Sequence, residues 1–236
     1  MDMKSTLSEI QQRFDNEVAR FSNLETGQIS TVDATLSLEL LTQAASACCP
    51  DAKQVLDLGC GAGNYTLKLL GLIPDFDSTL IDLSQPMLDK AKERIFKASE
   101  GKITTIQTDF LNMELPEDFF DIVVTGAAMH HLRSDEEWET VFSKIYKSLK
   151  KGGCFWISDL IKHDHPAIDQ LMWKRYAEYL EGVGGKAYQE NVFAYIAKED
   201  TPRSVIYQLD VLKKVDFSYV DVLHKNSNFS VFGGIK

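Results

Sequence analysis

The chain has no apolar run approaching the ~20 residues needed to cross a bilayer. Its opening stretch, MDMKSTLSEIQQRFDNEVARF, is polar and acidic where a secretory signal needs an apolar core. Both absences point to a cytoplasmic protein without a membrane partner. Cysteine is scarce: Cys48, Cys49, Cys60 and Cys154 are the only ones, and no C-x-x-C spacing occurs. Adjacent Cys48 and Cys49 are poorly placed to bridge each other, so all four read as reduced in that compartment, and no metal site is implied. Basic residues are outnumbered, 25 Lys and Arg against 35 Asp and Glu, for a net charge of −10. That balance repels a phosphate backbone and argues against a nucleic-acid partner. Internal repeats, low-complexity tracts and long linkers are also missing.

What remains is an ordinary globular composition, 44% apolar and 25% charged over 236 residues, enough for one α/β domain with a small cap. Apolar positions Leu7, Ile10, Phe14, Val18 and Phe21 lie close to helical spacing over 4–22, and a second helix spans 31–49. Strands and helices then alternate. Strands are expected at 53–58, 77–82, 102–107, 119–125 and 154–160, and helices at 64–70, from Ser84 with Pro86 in the first turn, and at 135–149, stopped by Gly152 and Gly153. This order predicts a doubly wound, mostly parallel sheet with helices on both faces. An aromatic-rich helical stretch over 165–200 is interrupted by EGVGG, and a helix follows it. Two strands joined at Asn226–Ser227 then give an antiparallel C-terminal hairpin and a seventh strand. The expected organisation is a single domain over 1–236, with an N-terminal helical cap over 1–30 and a helical lid insert over 161–200.

The chemistry starts at VLDLGCGAGNYTLKLL, residues 55–70, where a strand runs into glycines on alternate positions and then into a helix. Glycines there let backbone approach a ligand closely. A dinucleotide fingerprint, G-x-G-x-x-G, needs glycine where Asn64 stands. The phosphate-loop and G-x-S-x-G signatures are absent. With Asp57 ahead of the turn, LDLGCGAGNYT is similar to the D-x-G-x-G-x-G loop of class I S-adenosylmethionine-dependent methyltransferases. Three further motifs follow in order: LIDLSQPMLDKAKER, IQTDFLNMELPEDFFDIVVT and LKKGGCFWISD. The resemblance covers about residues 50–160.

It implies S-adenosyl-L-methionine as cofactor and a small-molecule acceptor, with the methyl group moved by in-line displacement. Asp57 is then expected to order the loop and meet the methionine amino group. Gly59, Cys60 and Gly61 lie along the methionine and ribose, and Gly63 permits close packing. Asp82, ~20 residues beyond the loop, accepts from the two ribose hydroxyls, and Leu83 packs on adenine. Asp109 accepts from the adenine amino group beside Phe110, and Met87 and Thr125 complete the cofactor wall. Asp57 and Asp109 can equally serve as turn or helix caps, and Cys60 reads as a small loop filler rather than a nucleophile.

In such sheets the site lies beyond the carboxyl ends of the strands. TGAAMHHL and SDLIKHDHP therefore hold the candidate bases: His130, His131 and Asp159. Adjacent histidines do not easily point the same way, so one of the pair is expected to reach the cavity. His163 and His165 have H-x-H spacing, but a loop role fits them better than metal binding. The acceptor is expected between the N-terminal helix, with Phe14 and Phe21, and the lid, with Trp173, Tyr176 and Tyr179, near Arg203. The terminal segments RFDNEVARFSNL and KNSNFSVFGGIK also resemble carboxy-S-adenosylmethionine synthases, which modify the cofactor with prephenate. Those enzymes depart from the D-x-G-x-G-x-G loop that this chain keeps, so methyl transfer is the first expectation and the synthase the alternative. A non-catalytic cofactor-binding protein is a third reading. Oligomeric state is open, with a homodimer as the simplest assembly.

Overall fold

The continuous apolar stretches of the sequence become the centre of one sheet. The computed structural model describes residues 4–23 and 27–236, so 1–3 and 24–26 of the expected cap lie outside the described residues. Five strands run parallel: β1 (Gln54–Leu58), β2 (Asp77–Asp82), β3 (Ile103–Gln107), β4 (Phe120–Gly126) and β5 (Leu149–Leu160). β6 (Tyr219–Asn226) and β7 (Phe229–Ile235) complete the order β3-β2-β1-β4-β5-β7-β6. β7 pairs antiparallel with both β5 and β6, so it alone runs against the rest. Residues 55–58, 122–125 and 153–160 are buried without alternation, the mark of strands covered on both faces. The expected mostly parallel seven-stranded sheet with an antiparallel hairpin is the observed one.

The helices are α1 (Leu7–Asn16), α2 (Val18–Phe21), α3 (Ala34–Cys48), α4 (Asn64–Leu70), α5 (Gln85–Phe96), α6 (Asp135–Ser148), α7 (Pro166–Glu199) and α8 (Val205–Lys214). Reciprocal capping boxes open α1 (Thr6 with Glu9) and α6 (Ser134 with Glu137). The Ser84 hydroxyl accepts from the Met87 N–H at the start of α5. On one face of the sheet Trp138 and Phe142 of α6 pack against Phe155 and Phe232. On the other, Leu41 and Ala45 of α3 and Leu69 of α4 meet Val55, Trp156 and Val231. A third cluster joins Tyr176, Leu180 and Ile196 of α7 to Leu160 and Phe229.

Four local expectations change. The first helix breaks at Glu17 (φ −107°, ψ 11°), which splits α1 from α2. The helix over 135–149 does not stop at its glycines. Leu149 is already extended (ψ 141°) and pairs with Phe120, because its buried side chain belongs to the sheet. Gly152 and Gly153 instead sit where the β4–β5 register shifts. EGVGG interrupts α7 at one residue only, Gly185 (φ 79°, ψ 178°), a conformation open essentially to glycine alone. The hairpin turns at Ser227 and Asn228, since Asn226 already pairs with Phe229.

Candidate active site

The strand order reverses between β1 and β4, which opens a crevice at their carboxyl ends, where α/β sheets bind ligands. A cavity of ≈ 240 Å³ lies there. Of the three loop glycines, Gly61 faces it: a Cβ at Gly61 would meet nothing within 4 Å, and its φ is +50°. Gly59 also lines the cavity but is tightly packed, and Gly63 serves packing. A Cβ on Gly59 would lie 2.6 Å from the Ala128 Cβ, and one on Gly63 would lie 3.1 Å from Ala91 and from Ile95. The loop is held by its neighbours, because Arg94 donates to the Ala62 carbonyl and to Asn64 Oδ1, and Asn64 Nδ2 donates to the Phe21 carbonyl.

Asp82 stands on the cavity wall at the end of β2. Its Oδ2 accepts from the Gly61 N–H (2.8 Å) and its Oδ1 from the Ser84 N–H (2.9 Å), so each oxygen is oriented and keeps a further lone pair. Burial raises its pKa. Leu83, Met87, Phe110 and Cys60 share the wall. Burial also drives the Cys60 thiol well above its ordinary pKa, so it is no nucleophile. Asp109 lines the cavity too, but its carboxylate caps the following turn, accepting from the Leu111 and Asn112 N–H groups and the Asn112 amide. Burial works to raise its pKa, and those bonds outweigh it. Asp57 is fully buried behind the loop. Its Oδ2 accepts from the Thr66 hydroxyl (2.7 Å) and N–H, its Oδ1 has no partner, and burial pushes its pKa up to about 7.

A smaller cavity of ≈ 80 Å³ adjoins the first, and Phe14, Phe21, Gln28, Ala127 and His131 line both. Met129–His131 form a 3₁₀ turn after β4, which leaves the two imidazoles close together, with ring centroids 4.6 Å apart, and both on the smaller cavity. His131 reaches the larger cavity, whereas His130 lines only the smaller one. The His130 Nδ1 is hydrogen-bonded to Asp159 Oδ1, and its backbone N–H donates to Asp159 Oδ2 at 3.0 Å. Burial works to lower the His130 pKa, but the charges of Asp159 and Asp200 outweigh it and hold it at about 9. Burial, with the adjacent His130 charge, drops His131 well below the ordinary imidazole range. His131 is therefore neutral, and its 3.3 Å approach to Asp200 Oδ1 is not an ion pair. Arg13 pairs with Glu199 and lies over the rings of Phe14 and Tyr195, so α1 is anchored to the end of α7. The Ser84 hydroxyl donates to Asp15, a second tether.

A model described as a methyltransferase domain matches residues 55–153. The carboxy-S-adenosyl-L-methionine synthase of Trichodesmium erythraeum is 30% identical over 188 residues, covering 78% of this chain and 72% of that protein. That of Campylobacter jejuni (strain NCTC 11168) is 28% identical over 209 residues, 85% and 84% of the two chains. The chain belongs to the class I S-adenosylmethionine-dependent methyltransferase family. Among solved structures, the N-methyltransferase NodS of Bradyrhizobium japonicum, in complex with S-adenosyl-L-homocysteine, superposes with a TM-score of 0.62 at 17% identity over 95% of this chain and 97% of that one, a likeness of fold.

The methyltransferase is an enzyme that uses S-adenosyl-L-methionine, and its cavity fits that group. Gly61 leaves open space on its wall, Asp82 holds two oriented carboxylate oxygens there, and the unpartnered Oδ1 of Asp57 lies buried behind the loop, outside the lining. A proton linkage follows from Asp57. An ammonium beside it favours the ionised carboxylate, so S-adenosylhomocysteine binding is expected to release a proton below about pH 7 and to tighten as pH rises through that value. Calorimetry in buffers of different ionisation enthalpy reads the proton, and Asp57→Asn is expected to abolish it.

Several expected site residues stand elsewhere. Thr125 is fully buried, and its hydroxyl donates to the Leu58 carbonyl. Asp159 serves His130 rather than the cavity wall. Trp173 packs edge-on against Phe193, and the Tyr179 hydroxyl donates to the Ile29 carbonyl. Tyr176 does line the smaller cavity, with its hydroxyl donating to the Ser30 carbonyl. Arg203 is engaged by Asp135 and the Arg133 carbonyl. The His163 ring meets the Ser227 carbonyl and His165 caps α7, the loop roles expected of them. Sequence reasoning missed Arg13, Arg20, Gln28, Tyr195 and Asp200, which all line the smaller cavity. Arg13 and Arg20 fall in RFDNEVARFSNL, which gives them no site role, no motif marks the other three, and tertiary packing brings all five to the histidines. No helix among the described residues is long and apolar enough to cross a membrane.

Proposed function

We propose that this methyltransferase moves the methyl group of S-adenosyl-L-methionine to a small acceptor seated in the smaller cavity, with His131 at the boundary. The continuity of the two cavities across Phe14, Phe21, Gln28, Ala127 and His131 carries this reading. When bound, the cofactor supplies a methyl carbon activated by its sulfonium. The chain's part is to align the acceptor, exclude water and receive a proton. His131 suits the last role because a neutral imidazole keeps a free lone pair. His130 and Asp159 act as positioning residues for the turn that carries it. α1, α2 and α7 cover the acceptor as cap and lid, and the Arg13–Glu199 pair holds them together. Both arginines of the smaller cavity have carboxylate partners, Arg13 in Glu199 and Arg20 in Glu17. A cytoplasmic setting belongs to the same proposal.

His131→Ala is expected to lower kcat by ~100-fold while leaving S-adenosylhomocysteine affinity unchanged. Turnover is read as S-adenosylhomocysteine formed across a panel of hydroxyl, amine and carbon acceptors. Full turnover in the variant would remove His131 from the chemistry. The matching of curated carboxy-S-adenosyl-L-methionine synthases over most of their length supports a second reading, cofactor modification. Incubation with S-adenosyl-L-methionine and prephenate, followed by mass spectrometry, separates the two: a carboxylated cofactor would replace the methyl-transfer reading.

A further inference from the structure

We propose that His130, His131 and Asp200 bind a divalent transition-metal ion of the zinc, cobalt or iron(II) type. One ligand atom from each lies within 4.8 Å of the others. Asp200 Oδ1 stands 3.3 Å from His131 Nδ1 and 3.7 Å from His130 Nε2. Two ligand atoms each ~2.1 Å from a tetrahedral ion stand ~3.4 Å apart, so the two separations to Asp200 match those of ligands around one ion.

A second observation is independent of the spacing. His131 Nδ1 and Asp200 Oδ1 are both shut off from solvent, and neither has a hydrogen-bond partner despite their 3.3 Å approach. Buried polar atoms are nearly always paired. Here an imidazole nitrogen and a carboxylate oxygen converge without bonding to each other, and a cation between them satisfies both.

The surroundings are those of a ligand set. Asp159 engages His130 Nδ1, which leaves Nε2 directed to Asp200, and it is itself fixed by the His130 and Leu160 N–H groups. A carboxylate behind the far nitrogen is the usual support of a metal-bound histidine. The Thr201 N–H donates to the His130 carbonyl (2.7 Å), which locks the end of α7 against the turn that carries both histidines. Arg13, the cation on the same wall, is already paired with Glu199. Two imidazoles and one carboxylate suit zinc, cobalt, nickel or iron(II), whereas magnesium and calcium prefer all-oxygen sets. Three protein ligands leave a position open. All three line the smaller cavity, so that position serves an oxygen of the acceptor or a water. The inference rests on the reading of that cavity as the acceptor site, and with the ion in place His131 acts as ligand rather than base.

The test uses the full chain, freed of metal with a chelator and titrated with Co²⁺ by visible absorption and with Zn²⁺ by calorimetry. One ion per chain is expected, with the visible bands of a four- or five-coordinate cobalt site. Asp200→Asn and His131→Gln are expected to weaken binding by more than ~10-fold, and Asp159→Asn by ~10-fold through the ring it orients. A His163→Gln, His165→Gln double variant should leave it unchanged. No saturable binding, or binding moved only by the double variant, would overturn the site. Where a variant fails to fold, the imidazole nitrogen resonances of His130 and His131 in the wild type decide: Zn²⁺ shifts them if they are ligands, and unshifted resonances reject the site. S-adenosylhomocysteine affinity is measured on the same samples. Cofactor binding without ion binding would overturn the metal site and leave the methyltransferase reading standing.

Discussion

Asp82→Ala is expected to weaken S-adenosylhomocysteine binding by ~100-fold, the largest effect on the cofactor of any single substitution in the site. A ribose diol would donate to the two carboxylate oxygens, and hydrogen bonds to a charged acceptor contribute ~1.5–3 kcal/mol each. Loss of about 3 kcal/mol in total corresponds to that factor. The alanine also frees the Gly61 and Ser84 N–H groups that Asp82 now holds, so the glycine loop loses its fixed distance from β2. Asp82→Asn keeps the shape and one acceptor oxygen, and its loss should be much smaller. Calorimetric titration of wild type and both variants reads the difference, with ligand-free melting curves to show that each has folded. Equal affinity in Asp82→Ala and wild type would refute the ribose assignment.

Asp159→Ala is expected to cost about 3–5 kcal/mol of folding stability, the range for removing one member of a buried charge pair. The carboxylate is 2% exposed and accepts from the His130 ring, the His130 N–H and the Leu160 N–H. Without it, His130 is left buried with only the more distant Asp200 to offset its charge. The same pair sets a pH dependence in protein kept metal-free with a chelator. The folded-state pKa of His130, about 9, lies above its ordinary 6.5. Its contribution is therefore fully present below pH 6.5 and is lost as pH rises through 9, a change of about 3 kcal/mol. Asp57, raised to about 7, and Asp200, raised to about 6, act with the same sign at lower pH, because each folded carboxyl holds its proton longer than the unfolded one. Wild type should melt about 10 °C lower at pH 9 than at pH 6, and Asp159→Ala should flatten most of that slope. A flat wild-type profile would mean that His130 is not charged in the folded protein.

The cofactor half of the site was legible because its signals are local. D-x-G-x-G-x-G carries its own geometry, a strand end, a close turn and a helix start, and Asp82 follows at the end of the next strand. Even there the reading had limits. Of the three glycines, Gly59 and Gly61 line the cavity and only Gly61 has free room at its Cβ position, and nothing in the sequence orients Asp57 or Thr125. β1 and β4 are buried on both faces, so no alternation distinguishes the side that meets a ligand. Asp109 shows the same ambiguity from another cause. An aspartate after a strand is as good a turn cap as a ligand acceptor, and its carboxylate is occupied by the turn.

The acceptor half was barely legible. The histidine pair was visible as a pair, but the backbone turn at Met129–His131 sets which ring faces which cavity. Asp200 and Tyr195 have no motif to flag them, and RFDNEVARFSNL contains Arg13 without giving it a site role. Trp173, Tyr179 and Arg203 were drawn in by their chemistry alone and are spent on packing and backbone bonds. By itself the sequence determined the sheet and the family and marked candidates for the donor site, since periodic burial, turn glycines and strand-end acids act over a few residues at a time. The tertiary structure alone decided what stands beside His131, because that wall is assembled from α1, α2, the turn after β4 and the end of α7. Those segments are distant in the chain and meet through the Arg13–Glu199 pair, the edge contact of Phe14 with His131 and the bond from the Thr201 N–H to the His130 carbonyl.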